Sequence, residues 1–137
     1  MTLMEYLLPR LVGFERAFEL IVRAQKLTGS EAAEWGLASR VVPAEAVLDT
    51  ALEIARDMAE NCSPLVMGMH KRLLWQGLDM NREALVDWET RVLHDTLARP
   101  DAMEGGMAFV ERRTPDWASS VPRDWPGQLM DGENRED

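Results

Sequence analysis

Cysteine is nearly absent. Cys62 stands alone among 137 residues, so no internal disulfide can form and nothing points to an oxidising compartment. Positive charge is also scarce: 15 Lys and Arg against 24 Asp and Glu leave a formal charge of -9 and a pI near 4.7. The short basic clusters are Lys71-Arg72 and Arg112-Arg113. Two neighbouring cations are too few for a nucleic-acid footprint, though enough for one small phosphate. No apolar run approaches the ~20 residues of a membrane span, and no charged leader with an apolar run and a small-residue cleavage site opens the chain. The net negative charge repels nucleic acid and anionic membranes, so neither is expected as a partner, and the cytoplasm is the expected location.

The signatures of common catalysts are missing too. There is no G-x-S-x-G, no G-x-G-x-x-G and no G-x-x-x-x-G-K-[ST]. His70 and His94 fall in different predicted helices and Cys62 is distant from both in sequence. A zinc site needs three or four ligands. No catalytic set and no metal site is expected.

What remains is helical periodicity. Phe14, Ala17, Phe18 and Ile21 share one helix face, with Gly13 before and Thr28-Gly29 after. Ser30 reads as an N-cap for a short helix, Glu31 to Trp35, ending at Gly36. Leu37 to Val42 is the credible extended piece, stopped by Pro43, which can sit in the first turn of a long helix. In that helix Val47, Ala51, Ile54 and Met58 line one side. Ser63-Pro64 opens a helix through Lys71 and Trp75 to Gly77. Asn81 caps another to about Arg99, with Leu85, Trp88, Val92 and Thr96 on one face and Asp87, Arg91 and Asp95 as an (i, i+4) charge ladder. Pro100-Asp101 starts a last helix to about Arg113. The fold class is therefore mainly α, about six helices with one short extended segment. Residues 115–137 read as an arm around Trp117 and Trp125 followed by a disordered acidic tail. Met58, Met67, Met69, Met103 and Met107 fit core filling. Gly105-Gly106 reads as a close-packing site, His70 as partly buried or capping, and His94 as a surface position.

One constellation could carry chemistry. Phe109, Arg112 and Arg113 stand at i, i+3 and i+4 on the last helix, so their side chains share one face. A ring beside two guanidinium groups can stack on a nucleobase and clamp a phosphate. The plainer alternative is that Phe109 packs in a core and the arginines are solvated or paired with acids.

The order of segments adds information. Leu8-Pro9-Arg10-Leu11-Val12-Gly13, Ala17-Phe18-Glu19-Leu20, Leu27-Thr28-Gly29, Glu31-Ala32-Ala33-Glu34-Trp35-Gly36-Leu37 and Arg40-Val41-Val42-Pro43 follow one another. Asn61-Cys62-Ser63-Pro64, Lys71-Arg72 and Glu104-Gly105-Gly106-Met107-Ala108-Phe109-Val110-Glu111-Arg112-Arg113 continue the series. Across about residues 6–117 this resembles the crotonase family of enoyl-CoA hydratases and isomerases. The resemblance implies the C-terminal half of such an enzyme. Residues 1–13 would be a remnant of the end of a ββα spiral core, residues 14–114 the helical region that closes the active site and builds a trimer or dimer of trimers, and residues 115–137 the arm and tail. The run from Met1 straight into apolar residues fits a chain whose beginning lies elsewhere. The family's catalytic glutamates lie in a G-G-G-x-E-type segment and a P-E dipeptide, and neither occurs here; Glu5, Glu15 and Glu19 do not match them. The resemblance implies no covalently bound cofactor and a coenzyme A thioester as substrate of the complete enzyme, with Phe109, Arg112 and Arg113 reaching its adenine and 3'-phosphate. The alternative is a non-catalytic helical module that oligomerises or binds a partner, such as a separate spiral core.

Overall fold

A computed structural model describes residues 4–131. Nine α-helices are present among them, with no strand. The chain divides into two units, residues 1–50 and 51–137, and the division falls inside a helix.

In the first unit α1 (Met4–Val12) and α2 (Phe14–Arg23) pack on each other around Gly13. Gly13 has φ 83°, a conformation that a β-carbon disfavours, and its carbonyl accepts from the Ala17 N–H at 3.1 Å. Residues 4–12 are thus helical, which the sequence reading of 1–13 did not anticipate. Helix α3 (Gly29–Glu34) is held by a capping box: Thr28 Oγ1 accepts from the Glu31 N–H, and the Glu31 carboxylate accepts from the Thr28 N–H at 2.8 Å. The cap is therefore Thr28, not Ser30. The expected extended segment is not a strand. The Leu37 and Ala38 N–H groups both turn back to the Ala32 carbonyl, at 2.8 and 3.2 Å, closing α3 instead of pairing outward. Pro43 precedes a 3₁₀ turn, Ala44–Ala46, and α4 (Val47–Asn61) begins after it.

The second unit contains the core. Helix α5 (Pro64–Gly77) supplies Leu65, Met69 and Leu73 at i, i+4 and i+8, and α6 (Arg82–Leu97) supplies Trp88 and Val92. Each such side chain removed from water contributes about 1.5–3 kcal/mol. Gly77 permits the tight α5–α6 approach, since a β-carbon there would lie 3.1 Å from Leu85. Asn81 caps α6 as the sequence indicates, its Oδ1 accepting from the Ala84 N–H at 2.9 Å. Helix α7 (Pro100–Glu111) follows.

The arm is ordered and contains two short helices, α8 (Val121–Asp124) and α9 (Gly127–Met130). Met130 is fully buried in the α5–α6 core, and the Trp88 indole N–H donates to the Leu129 carbonyl at 2.7 Å. Asp131 pairs with Arg72 at 2.9 Å and accepts from the Trp125 indole at 2.9 Å. The rest of the expected disordered tail, residues 132–137, lies outside the described residues, as do residues 1–3. The methionine expectation holds for Met69 alone: Met58, Met67, Met103 and Met107 are exposed, because nothing among the described residues covers the faces of α4, α5 and α7 that carry them.

Candidate ligand site at the end of the last long helix

Helix α7 is tied down on one side. Asp101, in its first turn, is buried, and one carboxylate oxygen accepts from the Ala118 and Ser119 N–H groups at 2.9 and 3.1 Å. The other accepts from the Ser63 hydroxyl at 2.5 Å. Ser63 therefore spends its side chain on α7 and does not cap α5. Gly105 lies under the Trp117 ring, where a β-carbon would come within 3.3 Å, so this glycine does serve close packing; Gly106 faces open space. The Trp117 indole N–H donates to the Glu60 carbonyl at 3.0 Å.

The opposite side is bare. Phe109 is 85% exposed, and Val110, Met103 and Met107 are exposed as well. Phe109 is therefore not a core residue. The helix stops at Glu111, and Arg112 adopts the left-handed conformation, φ 55° and ψ 44°. Arg112 and Arg113 consequently lie beyond the helix, and the single-face arrangement inferred from i, i+3, i+4 spacing does not hold. Glycine is the usual residue in such a terminating turn, and its left-handed backbone is not visible in the helical spacing.

The two arginines differ sharply. Arg113 is engaged at every nitrogen: its Nε donates to Glu111 at 2.7 Å, and its two terminal nitrogens donate to the two carboxylate oxygens of Glu104 at 2.5 and 3.0 Å. Arg113 and the Asp116 N–H together hold the Glu104 carboxyl well below its ordinary value, at about 2. The same bonds, from Glu104 first and Glu111 second, raise the Arg113 guanidinium further above its already basic range. Arg112 has no side-chain hydrogen bond or ion pair among the described residues. The chemistry available is thus one exposed ring, one free planar cation and a second cation already neutralised. Glu104 was not singled out from the sequence, because a pairing nine residues apart across a helix end has no spacing signature.

A separate cavity of about 540 Å³ opens beside α5 and α7, lined by Met58, Val66, Met67, Leu97 and Trp117, with His70 at its wall. His70 is exposed, contrary to the partly buried reading, and His94 is exposed as expected. The Ser63 and Asp101 groups reaching this cavity are satisfied by each other and by the arm, so they present no unspent polar group for a reaction. No cluster of metal-ligating side chains occurs among the described residues, and no helix among them is long and apolar enough to cross a membrane.

The sequence and fold have clear relatives. Residues 2–120 match the family model described as enoyl-CoA hydratase/isomerase. A probable mitochondrial enoyl-CoA hydratase of Dictyostelium discoideum is 36% identical over 108 residues, 79% of this chain and 39% of the relative. The carnitinyl-CoA dehydratase of Proteus mirabilis is 33% identical, over 72% of this chain and 39% of its own. Among solved structures, a probable enoyl-CoA hydratase/isomerase from Mycobacterium abscessus superposes with a TM-score of 0.84 at 38% identity, covering 86% of this chain and 47% of the other. The chain spans about two fifths of the length of these curated relatives.

Proposed function

Since the chain belongs to the enoyl-CoA hydratase/isomerase family, we propose that it is the trailing helical part of an enzyme acting on acyl-coenzyme A thioesters. In this reading it supplies assembly surfaces and a contact for the nucleotide end of coenzyme A. Hydration or double-bond migration would belong to a spiral core carrying the glutamates and the two backbone N–H groups that stabilise a thioester enolate. The ordered series of family segments, the described region built from helices with no strand, and the absence of both G-G-G-x-E and P-E from the sequence support that division. The thioester is the substrate, no further cofactor is involved, and the assembly is a trimer or dimer of trimers working in the cytoplasm.

The observation that carries the nucleotide contact is that Phe109 and Arg112, three residues apart at the end of α7, are both exposed and that Arg112 has no side-chain partner among the described residues. Base stacking on an aromatic ring contributes about 1–3 kcal/mol in other nucleotide-binding proteins, and a guanidinium fork suits a phosphate. In the complete assembly Arg112→Glu raises KM and leaves kcat near normal, because the adenine end is remote from the reacting carbons. Phe109→Ala does the same without lowering Tm, since its ring is already in water. An unchanged KM for Arg112→Glu eliminates the contact.

A second reading, a purely structural assembly module, is favoured by the bare α7 face of Met103, Met107 and Val110. Under it, self-association measured by light scattering persists while both substitutions leave KM unchanged.

A further inference from the structure

The turn that follows α7 poses a physical question: a β-carbon disfavours the left-handed backbone, yet Arg112 adopts it. The main chain makes the usual helix-ending closure: the Arg113 N–H donates to the Ala108 carbonyl at 3.1 Å, and the Arg112 N–H, which also bonds the Ala108 carbonyl, reaches the Phe109 carbonyl at 3.4 Å, a long bond. Glycine forms this closure readily, and here an arginine occupies it. Side-chain bonds that hold the segment after the turn would offset the cost of the β-carbon.

Glu104 is in position to do so. Its carboxylate ties the segment that follows Arg112 back onto the helix at two points. At the first it forms the two-pronged pair with the Arg113 guanidinium, at 2.5 and 3.0 Å. At the second, the same oxygen Oε1 accepts from the Asp116 N–H at 2.7 Å. Glu104 sits on α7 two turns before the helix ends, on a segment fixed by the Asp101 bonds to the arm. Charge-assisted, bidentate bonds of this kind define direction as well as attraction. Glu111 adds a third carboxylate bond to Arg113 at 2.7 Å, so every nitrogen of that guanidinium already has a carboxylate partner and its charge is offset by two acids. Arg112, at the turn between the helix that carries Glu104 and the segment Glu104 holds, keeps its guanidinium free.

We propose that Glu104, acting through Arg113 and the Asp116 N–H, is the positioning residue that locks Arg112 in its left-handed turn and aims its guanidinium at a phosphate. Arg113 is then a brace and not a ligand. This rests on the nucleotide-contact reading for its purpose, but the locking of the turn is testable without any ligand. The carboxylate, held at about 2, stays ionised across the physiological range, so the brace does not open with ordinary changes of pH.

The test uses the full chain and adenosine 3',5'-bisphosphate as probe, with binding followed by titration calorimetry and the Arg112 backbone followed by its NMR carbon shifts, which report φ. Glu104→Gln is expected to weaken binding on the order of fivefold and to move the Arg112 shifts away from left-handed values. The reversed pair, Glu104→Arg with Arg113→Glu, should recover part of both. Adding Arg112→Ala to Glu104→Gln should cost no more than Arg112→Ala alone, because Glu104 acts through that side chain; a general structural role would instead give additive losses. Unchanged Arg112 shifts in Glu104→Gln overturn the brace, whatever the binding data show. Retained affinity in Glu104→Gln beside lost affinity in Arg112→Ala overturns it too and leaves the nucleotide contact standing. Absence of probe binding by the unsubstituted chain overturns the nucleotide contact, and the shifts then still decide whether Glu104 sets the turn.

Discussion

Residues 4–50 and residues 51–131 are both built from amphipathic helices, yet they bury their apolar faces very differently. The second unit closes a core of Leu65, Met69, Leu73, Trp88, Val92 and Met130, with Met80, Leu85, Trp125 and Leu129 against it. In the first, Ala17 is the one buried hydrophobic among the described residues, while Phe14, Phe18, Ile21 and Val22 stay exposed. The difference lies in what returns to cover each face. In the second unit the arm comes back, and α9 places Met130 over α5 and α6. In the first, local devices do most of the work: the Gly13 turn, the Thr28–Glu31 box, and Arg10 and Arg16 over the Tyr6 and Trp35 rings at 3.8 and 5.0 Å. An apolar helix stripe is thus a statement about burial somewhere, and it does not say that the partner is in the same chain.

The largest expected effect lies in the core. Leu65 is fully buried, and Leu65→Ala should cost about 2–5 kcal/mol through lost transfer energy and the cavity left behind. A denaturant melt followed by Trp88 fluorescence measures it. A loss under about 1 kcal/mol would mean that this core collapses easily and that the contrast between the two units is overstated.

Next is the clamp at Asp101. Asp101→Asn removes a charged acceptor from three bonds, to Ser63, Ala118 and Ser119. Bonds to charged groups contribute about 1.5–3 kcal/mol each, and the asparagine retains part of this, so a net loss of about 2 kcal/mol is expected. Hydrogen exchange at the Ala118 and Ser119 amides should accelerate with it. Unchanged exchange would show that the arm is held by its tryptophans, Trp117 over Gly105 and Trp125 over Gly68.

In the first unit the largest single contribution expected is the cap. Thr28→Ala should lower α3 stability by about 1 kcal/mol. The Glu31 carboxyl is held below its ordinary value of 4.5 by the Thr28 hydroxyl first and the Thr28 N–H second. A depressed folded value means that the stabilisation is present above about pH 4.5 and fades as pH falls through the lowered value. Helicity of α3 followed by NMR between pH 6 and pH 3, a range spanning the ordinary carboxylate value, should therefore decline with acid in the parent chain and much less in Thr28→Ala. A decline of equal size in both would detach the box from the acid response.

The sequence showed local features better than distant ones. Helix α5 from Pro64 to Gly77 and the Asn81 cap could be read because each is set by residues within a few positions. The shared face of Leu85, Trp88, Val92 and Thr96 could be read for the same reason, and it is the face that turns inward. Residues 37–42 misled because two β-branched valines suggest a strand, and a strand needs a partner that spacing cannot supply. The Ser63–Asp101 bond spans 38 positions and the Trp88–Leu129 bond 41, and neither leaves a mark in periodicity. At the candidate site the arrangement was not legible: Phe109 and Arg112 are exposed, while Arg113 is paired with Glu104 and Glu111.

The smallest expected effect bears most directly on the contrast between the two units. Phe14 and Phe18 stack with ring centroids 6.2 Å apart at 18°, and they remain 77% and 57% exposed. Because the Phe18 ring is mostly in water, Phe18→Ser should change the stability of the chain by no more than about 0.5 kcal/mol, the ordinary range for surface positions. Its effect should appear in association: exposed aromatic surface of this kind recruits other apolar surface, so the substituted chain should bind less hydrophobic dye and scatter less light at tens of micromolar, the range in which exposed apolar surface drives aggregation. The contrast with Leu65→Ala is the point of the measurement, since both remove a large apolar side chain and only one removes a buried one. If Phe18→Ser instead destabilises the chain as Leu65→Ala does, residues 4–50 have a core of their own, and the first unit is not waiting for an external partner.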